Sequence, residues 1–529
     1  MSLVCPGLRR LHAGSLMMAL VTVFAFGPGG QAASPATYWT VKVTGGEVRG
    51  VVKDGIASFK GIPFAAPPIG ELRWRAPQPV VSWDGVREAD QFGPPPMQSA
   101  LLALVSGAKP SEDCLYLNVW TGAKDAGERR PVMVWIYGGA FNGGWSGDAV
   151  SDGTNLAKKG VVLVNFNYRI GVFGFLAHPE LSAESGKGSG CYGIQDQIAA
   201  LRWVRENIAG FGGDANNVTI FGQSAGGISV SILTQSPPAK GLFHRAISQS
   251  GGSMAPVKTA ADQANVLLPS LALAEQTGKA FLADLGAADI KAARALSADA
   301  VRGGKVKSLP WPVADGETIV DENPLDLYER GSFNDTPILV GTNSDDAIFG
   351  SKLTPAAFEK TVREGYPLAA DEILAAYPHA TNAQATRSSR DIARDILFAW
   401  PTWAWAKMQS QHGKGKAFLY YFDYGPKPGK VGHGAELRYV FGNSGGLLFG
   451  MADTPENRAM SDTIMSYWVN FATRGDPNGP GLRPWPAFDD QTMSTMVFAK
   501  TPQAGPTPNI EKLKAFDMYY ARLREHRRQ

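Results

Sequence analysis

Apolar and polar side chains alternate most clearly near the start of the chain, over residues 40–52 (TVKVTGGEVRGVV). The Gly45-Gly46 pair at the middle of that stretch predicts an antiparallel hairpin. Residues 59–79 follow, dense in Pro and Gly, and read as irregular. Then the pattern changes. Residues 114–121, 131–137 and 161–168 are short, nearly continuous apolar runs rich in β-branched and aromatic side chains, which predicts buried strands. Residues 243–250, 337–342 and 418–424 read as further strands, the last of these as the final one. Among them, residues 196–209 carry Ile198, Leu201, Val204 and Ile208 in one stripe at helical spacing. Residues 257–306 are Ala/Leu-rich and helical in pattern without a motif, either an insertion that shapes a pocket or a structural excursion. Strands and helices alternating in this way indicate an α/β architecture, a mostly parallel sheet covered on both faces with the hairpin at one edge. No repeat, low-complexity tract or linker divides it.

One stretch switches period abruptly. In residues 217–231 (NVTIFGQSAGGISVS), a buried strand at 218–221 runs into Gly222-Gln223-Ser224-Ala225-Gly226, and Ile228, Val230, Ile232 and Leu233 resume in a helix-compatible run. Strand, G-x-S-x-G, helix is the context of a nucleophile elbow, in which a strained turn exposes a serine hydroxyl. Gly222 and Gly226 remove the side chains that would collide where strand and helix close.

Composition adds bounds. Hydrophobic residues make up 44% of 529, ample for a large core, and 51 basic against 48 acidic residues give no reason to expect a nucleic-acid partner. Arg522, Arg524, Arg527 and Arg528 cluster at the C-terminus and read as a solvated last helix turn. Arg9-Arg10, an apolar run over 16–26 and small residues up to Ala33 have the form of an export signal. The expectation is a leader at 1–33 and a mature chain at 34–529 without a membrane span, secreted or periplasmic. Of three cysteines Cys5 leaves with the leader, and Cys114 and Cys191 read as buried free thiols.

A serine hydroxyl needs an adjacent base, and the base an orienting acid. Seven histidines are available, and His433, flanked by Gly432 and Gly434 after the 418–424 strand, best fits the order serine, acid, histidine. For the acid, Asp345 and Asp346 lie in the loop after the 337–342 strand, where sites form in open α/β sheets. Gly138-Gly139-Ala140 after the 131–137 strand supplies a small-residue turn whose amides, with that of Ala225, can bind an oxyanion. No His/Asp/Glu cluster has ligand spacing and no Gly-rich loop carries the Lys-Ser/Thr of a phosphate site, so neither metal nor cofactor is expected.

These stretches together resemble the type-B carboxylesterases, the family of the cholinesterases and bacterial para-nitrobenzyl-type esterases. The resemblance spans nearly the whole mature chain through FKGIPFAAPPIGELRW at 59–74, EDCLYLNVW at 112–120, WIYGGAF at 135–141, NYRIGVFGFL at 167–176, the elbow, and HGAELRYVFG at 433–442. It implies the α/β-hydrolase fold with helical insertions around an active-site gorge. It also implies Ser224 as nucleophile, His433 as base, Asp346 rather than Asp345 as acid, and Gly139, Ala140 and Ala225 as oxyanion donors. Arg169 and Asp196 would be a structural ion pair, and Ser250 a support for the acid. Three departures stand out: Asp346 where the family more often has Glu, Gln223 where many members have Glu, and Met97 where Cys114 usually finds its disulfide partner. The short 98–113 loop has no tryptophan, which argues against a choline site. The expectation is an exported serine esterase acting on small-molecule carboxylic esters. Its rivals are an enzyme specialised for aromatic or polycarboxylic side-chain esters and an inactive binding protein on the same fold.

Overall fold

The apolar runs assemble into one mixed sheet. A computed structural model describes residues 37–99, 107–259, 268–305, 310–443 and 452–529; the expected leader at 1–33 lies outside them. The strands are β1 (Thr37–Val43), β2 (Gly46–Lys53), β3 (Ile56–Pro63), β4 (Val86–Glu88), β5 (Tyr116–Thr121), β6 (Arg130–Ile136) and β7 (Val162–Phe166). They continue with β8 (Gly213–Gln223), β9 (Arg245–Gln249), β10 (Ile338–Asn343), β11 (Ala417–Phe422), β12 (Ser494–Phe498) and β13 (Gln503–Pro506). Their spatial order is β1-β2-β3-β5-β7-β6-β8-β9-β10-β11-β12-β13, with β4 beside β2. From β7 to β12 every pairing is parallel, and beyond these the pairings at both ends are antiparallel except that of β4 with β2.

Three sequence expectations change. The Pro/Gly-rich stretch is not wholly irregular, because its first residues continue β3, which pairs with β2 and β5 before the prolines end it. The strand at 418–424 is not the last: β12 lies parallel to it and β13 turns back, so antiparallel strands close both edges and not one. The basic C-terminus is not simply solvated. The helix Ile510–Arg528 ends with Arg524 and Arg528 paired to Asp326 and Glu329, and with Arg522 on Glu372. The described part of 257–306 is helical as expected, in Leu271–Asp284, Ile290–Ala295 and Ala298–Gly303.

β7 and β10 are buried at every residue, so apolar side chains are covered on both faces and the sequence shows runs in place of alternation. The helix Ala225–Gln235 packs on β8 and β9, Pro455–Arg474 on β6 and β8, and Trp400–His412 on β10 and β11. The chain leaves β6 for β7 on one side, then returns to β8 on the other. The carboxyl ends of β6 and β8 are therefore a topological switch point, where crossovers diverge and leave a crevice.

Just past β7, Arg169 grips Asp196 of the helix Tyr192–Asn207 through Nε and Nη2, each 2.8 Å from a carboxylate oxygen. The Arg169 amide donates to the same carboxylate, and the pair is sealed from solvent at 3% and 0% side-chain exposure. Cys114 and Cys191 are buried and unpaired. Replacing Arg169 with Met strands the Asp196 charge in the interior. The variant should lose about 3–5 kcal/mol of unfolding free energy, seen as a lower urea midpoint at unchanged slope.

Candidate active site

The switch point brings the elbow and the glycine turn together by register. Ile136 of β6 pairs with Gly222 of β8, so the residues that follow each strand emerge side by side. Ser224 takes φ 57° and ψ −125°, a conformation that costs a non-glycine residue about 1–3 kcal/mol. Neighbouring backbone holds it there: Ser224 N–H donates to Gln249 O at 2.9 Å, and its carbonyl accepts from Ile228 N–H at 2.8 Å. A methyl group at Gly222 would fall 2.5 Å from the Gly226 carbonyl carbon, and one at Gly226 would run into the Ile136 carbonyl.

The turn after β6 lies against the elbow. A methyl at Gly138 would come within 2.5 Å of Gln223 O and 3.0 Å of Ser224 Cβ. Gly139 and Ala140 both have positive φ, 113° and 53°. The turn is closed by the amides of Asn142 and Gly143, each donating to Gly139 O at 3.0 Å, which leaves the Gly139 and Ala140 amides out of that closure. Ala225 opens its helix, where a backbone N–H has no intrahelical acceptor.

His433 arrives from the other side. Its Nδ1 lies 2.6 Å from Asp346 Oδ1, and Asp346 is fully buried. The other carboxylate oxygen accepts from Ser250 Oγ at 2.7 Å and from the Asn343 amide at 2.8 Å. The two loops are zipped together: Asp345 N–H donates to Val431 O at 2.9 Å, Val431 N–H to Ser344 Oγ at 3.1 Å, and Asn343 Nδ2 to Gly432 O at 2.8 Å. That ladder gives the short aspartate side chain its reach. Asp345 faces Arg390 at 3.6 Å and stays off the imidazole.

Burial disfavours charge on His433, but the hydrogen bond and charge of Asp346, with the charge of Glu436, outweigh it and raise its pKa above the ordinary value. Glu436 is itself buried. Burial and the Asp346 charge push its pKa up, against the donors Asn343 Nδ2 and Gln249 Nε2. Phe398 stacks on the imidazole at 4.6 Å and 23°, presented by a π-helical turn, Asp395–Ala399. His433 Nε2 meets Gln223 Nε2 at 3.2 Å; among the described residues no hydrogen bond joins it to Ser224 Oγ. The other described histidines are placed elsewhere. His178 caps the helix Pro179–Ser185, and His244 Nδ1 accepts from Val218 N–H.

Residues 38–516 match the model of the carboxylesterase family. The chain belongs to that family. It is 36% identical to the para-nitrobenzyl esterase of Bacillus subtilis, across 90% of this chain and 98% of that one. It is also 36% identical to the fumonisin B1 esterase of Sphingopyxis macrogoltabida, across 84% and 83%. A para-nitrobenzyl esterase structure superposes with a TM-score of 0.78 at 33% identity, covering 90% of this chain and 99% of that one. A Geobacillus stearothermophilus carboxylesterase gives 0.77 at 33% identity, with the same coverage. The sheet and its helices are thus the α/β-hydrolase fold, and the chain is a carboxylic ester hydrolase.

Sequence reading missed two neighbours of His433 in this carboxylesterase. Glu436 carries a weak signal, an acid inside HGAELRYVFG; Phe398 carries none, because only the π turn aims it. The raised pKa makes a prediction. His433 should titrate above the ordinary histidine value of about 6.5, and Asp346→Asn should lower it, since burial is then opposed by the charge of Glu436 alone. Imidazole NMR of the two proteins, with His433→Gln for assignment, measures both.

Proposed function

We propose that Ser224, His433 and Asp346 form the catalytic triad of an exported serine esterase that works through an acyl-enzyme. The observation that carries this reading is the 2.6 Å bond from His433 Nδ1 to buried Asp346, with His433 Nε2 3.2 Å from the side chain of Gln223, the residue before strained Ser224. In the first step Ser224 Oγ attacks the ester carbonyl while His433 Nε2 takes its proton, and Asp346 stabilises the resulting imidazolium. The amides of Gly139, Ala140 and Ala225 receive the negative charge that develops on the carbonyl oxygen. His433 then protonates the departing alcohol, and its neutral form activates water to release the acid. Export rests on the leader pattern at 1–33.

A small cavity lined by Ile228, Ala255, Leu268, Trp311, Ile396 and Pro401, among others, lies one helical turn beyond Ser224, since Ile228 N–H bonds to the Ser224 carbonyl. No charged side chain lines it among the described residues. This favours short, apolar acyl groups over the polycarboxylic acyl groups of the rival reading. The test is hydrolysis of nitrophenyl acetate and butyrate against a tricarboxylate ester, by the mature chain and Ser224→Ala. Wild type should prefer the apolar acyl groups and be labelled stoichiometrically at Ser224 by an organophosphate. Ser224→Ala should lose about 10⁴-fold or more in kcat. An unlabelled, inactive wild type would overturn the reading in favour of a binding protein.

A further inference from the structure

The atom through which His433 must take a proton is occupied by a neighbour. Gln223 Nε2 and His433 Nε2 are 3.2 Å apart, two nitrogens of which one donates. An amide nitrogen is a donor only, so the imidazole Nε2 supplies the lone pair and the ring proton sits on Nδ1. That is the tautomer Asp346 Oδ1 requires at 2.6 Å. The two contacts at opposite ends of the ring select the same form. Gln223 is well placed to hold it. It is the last residue of β8, pairs with Gln249 of β9, is 6% exposed, and its side chain passes the Gly138 turn.

We propose that Gln223 is a positioning residue of the esterase reaction, which holds neutral His433 ready between turnovers and, by bringing no charge, keeps the base competent in mildly acidic solution. The proposal rests on the triad reading above. When an ester binds, Ser224 Oγ replaces the amide at Nε2. An amide also carries an oxygen acceptor, so the same side chain can turn to accept from Nε2–H when the ring is protonated, and it favours neither charge state. A carboxylate of the same shape can only accept, and so favours the imidazolium. The charged and titratable groups that face the ring are Asp346 on the loop after β10 and Glu436 at the start of the helix Leu437–Phe441. Phe398 contributes an uncharged face from the π turn. A carboxylate at 223 would be a third acid beside one base.

The experiment compares pH profiles of kcat/KM for nitrophenyl butyrate in wild type, Gln223→Glu, Gln223→Met and Ser224→Ala. Gln223→Glu should move the acid limb up by about one pH unit, a roughly tenfold loss of rate on that limb with near-normal rate on the alkaline plateau. Gln223→Met, which removes the donor without adding charge, should lower kcat about three- to tenfold and leave the limb in place. Histidine 15N NMR of the wild type supplies a reading that needs no variant to fold, and neutral His433 should be protonated at Nδ1 alone. An acid limb in Gln223→Glu that coincides with wild type, or a neutral His433 protonated at Nε2, overturns the proposal while leaving the triad standing. Retained activity in Ser224→Ala overturns the triad reading, and the proposal with it.

Discussion

The closeness of β6 to the elbow is the constraint on which the site depends. The carbonyl of Ile136 leaves no room for a side chain at Gly226, and Gly222 is closed off by the elbow backbone itself. On the far side a methyl at Gly227 would lie 2.6 Å from Ser248 Oγ, and one at Gly251 would lie 2.6 Å from the Gly227 carbonyl carbon. Strands β6, β8 and β9 and the helix after Ser224 therefore meet backbone to backbone. Such packing over-determines the conformation of Ser224, which is why a strained turn persists there. The same packing lays the glycine turn after β6 against Ser224 without any side chain to guide it.

A second constraint acts across the crevice. Residues after β10 and residues well beyond β11 are joined by backbone and side-chain hydrogen bonds, with Asp345 and Gly432 forming an isolated parallel bridge. Asp346 and His433 thus ride on one ladder of hydrogen bonds. Buried Glu436, tied to Asn343 and Gln249, extends the ladder back to β9 and places a second acid within electrostatic reach of the imidazole.

The central strands were legible in the sequence because both of their faces are covered, which leaves unbroken apolar runs such as VMVWI. β3 was hidden by the prolines that follow it. β12 and β13 were hidden because STMVF is brief and QAGP has no strand character of its own, so only pairing at the edge makes them strands. Ser224 and His433 were legible from glycine punctuation and chain order. The choice of Asp346 over Asp345 was not, since adjacent carboxylates look alike until a ladder turns one inward; only the family resemblance separated them. Gln223 is legible only as a departure from the Glu of many family members, and its contact with Nε2 depends on how β8 ends relative to a distant loop.

The buried Arg394 has a consequence for how this enzyme can change. Its guanidinium grips Asp395 through Nε at 2.7 Å and also donates to the Ser344 carbonyl at 3.3 Å, while Tyr377 OH donates to Asp395 at 2.6 Å. The same π turn carries Ile396 to the cavity wall and Phe398 to the imidazole. One strut therefore bears a cavity wall, the face of the His433 ring and the loop of Asp346. A change in that strut moves all three together, whereas the Trp311 wall meets Phe141 edge to face at 4.9 Å, directly after the Gly139-Ala140 turn.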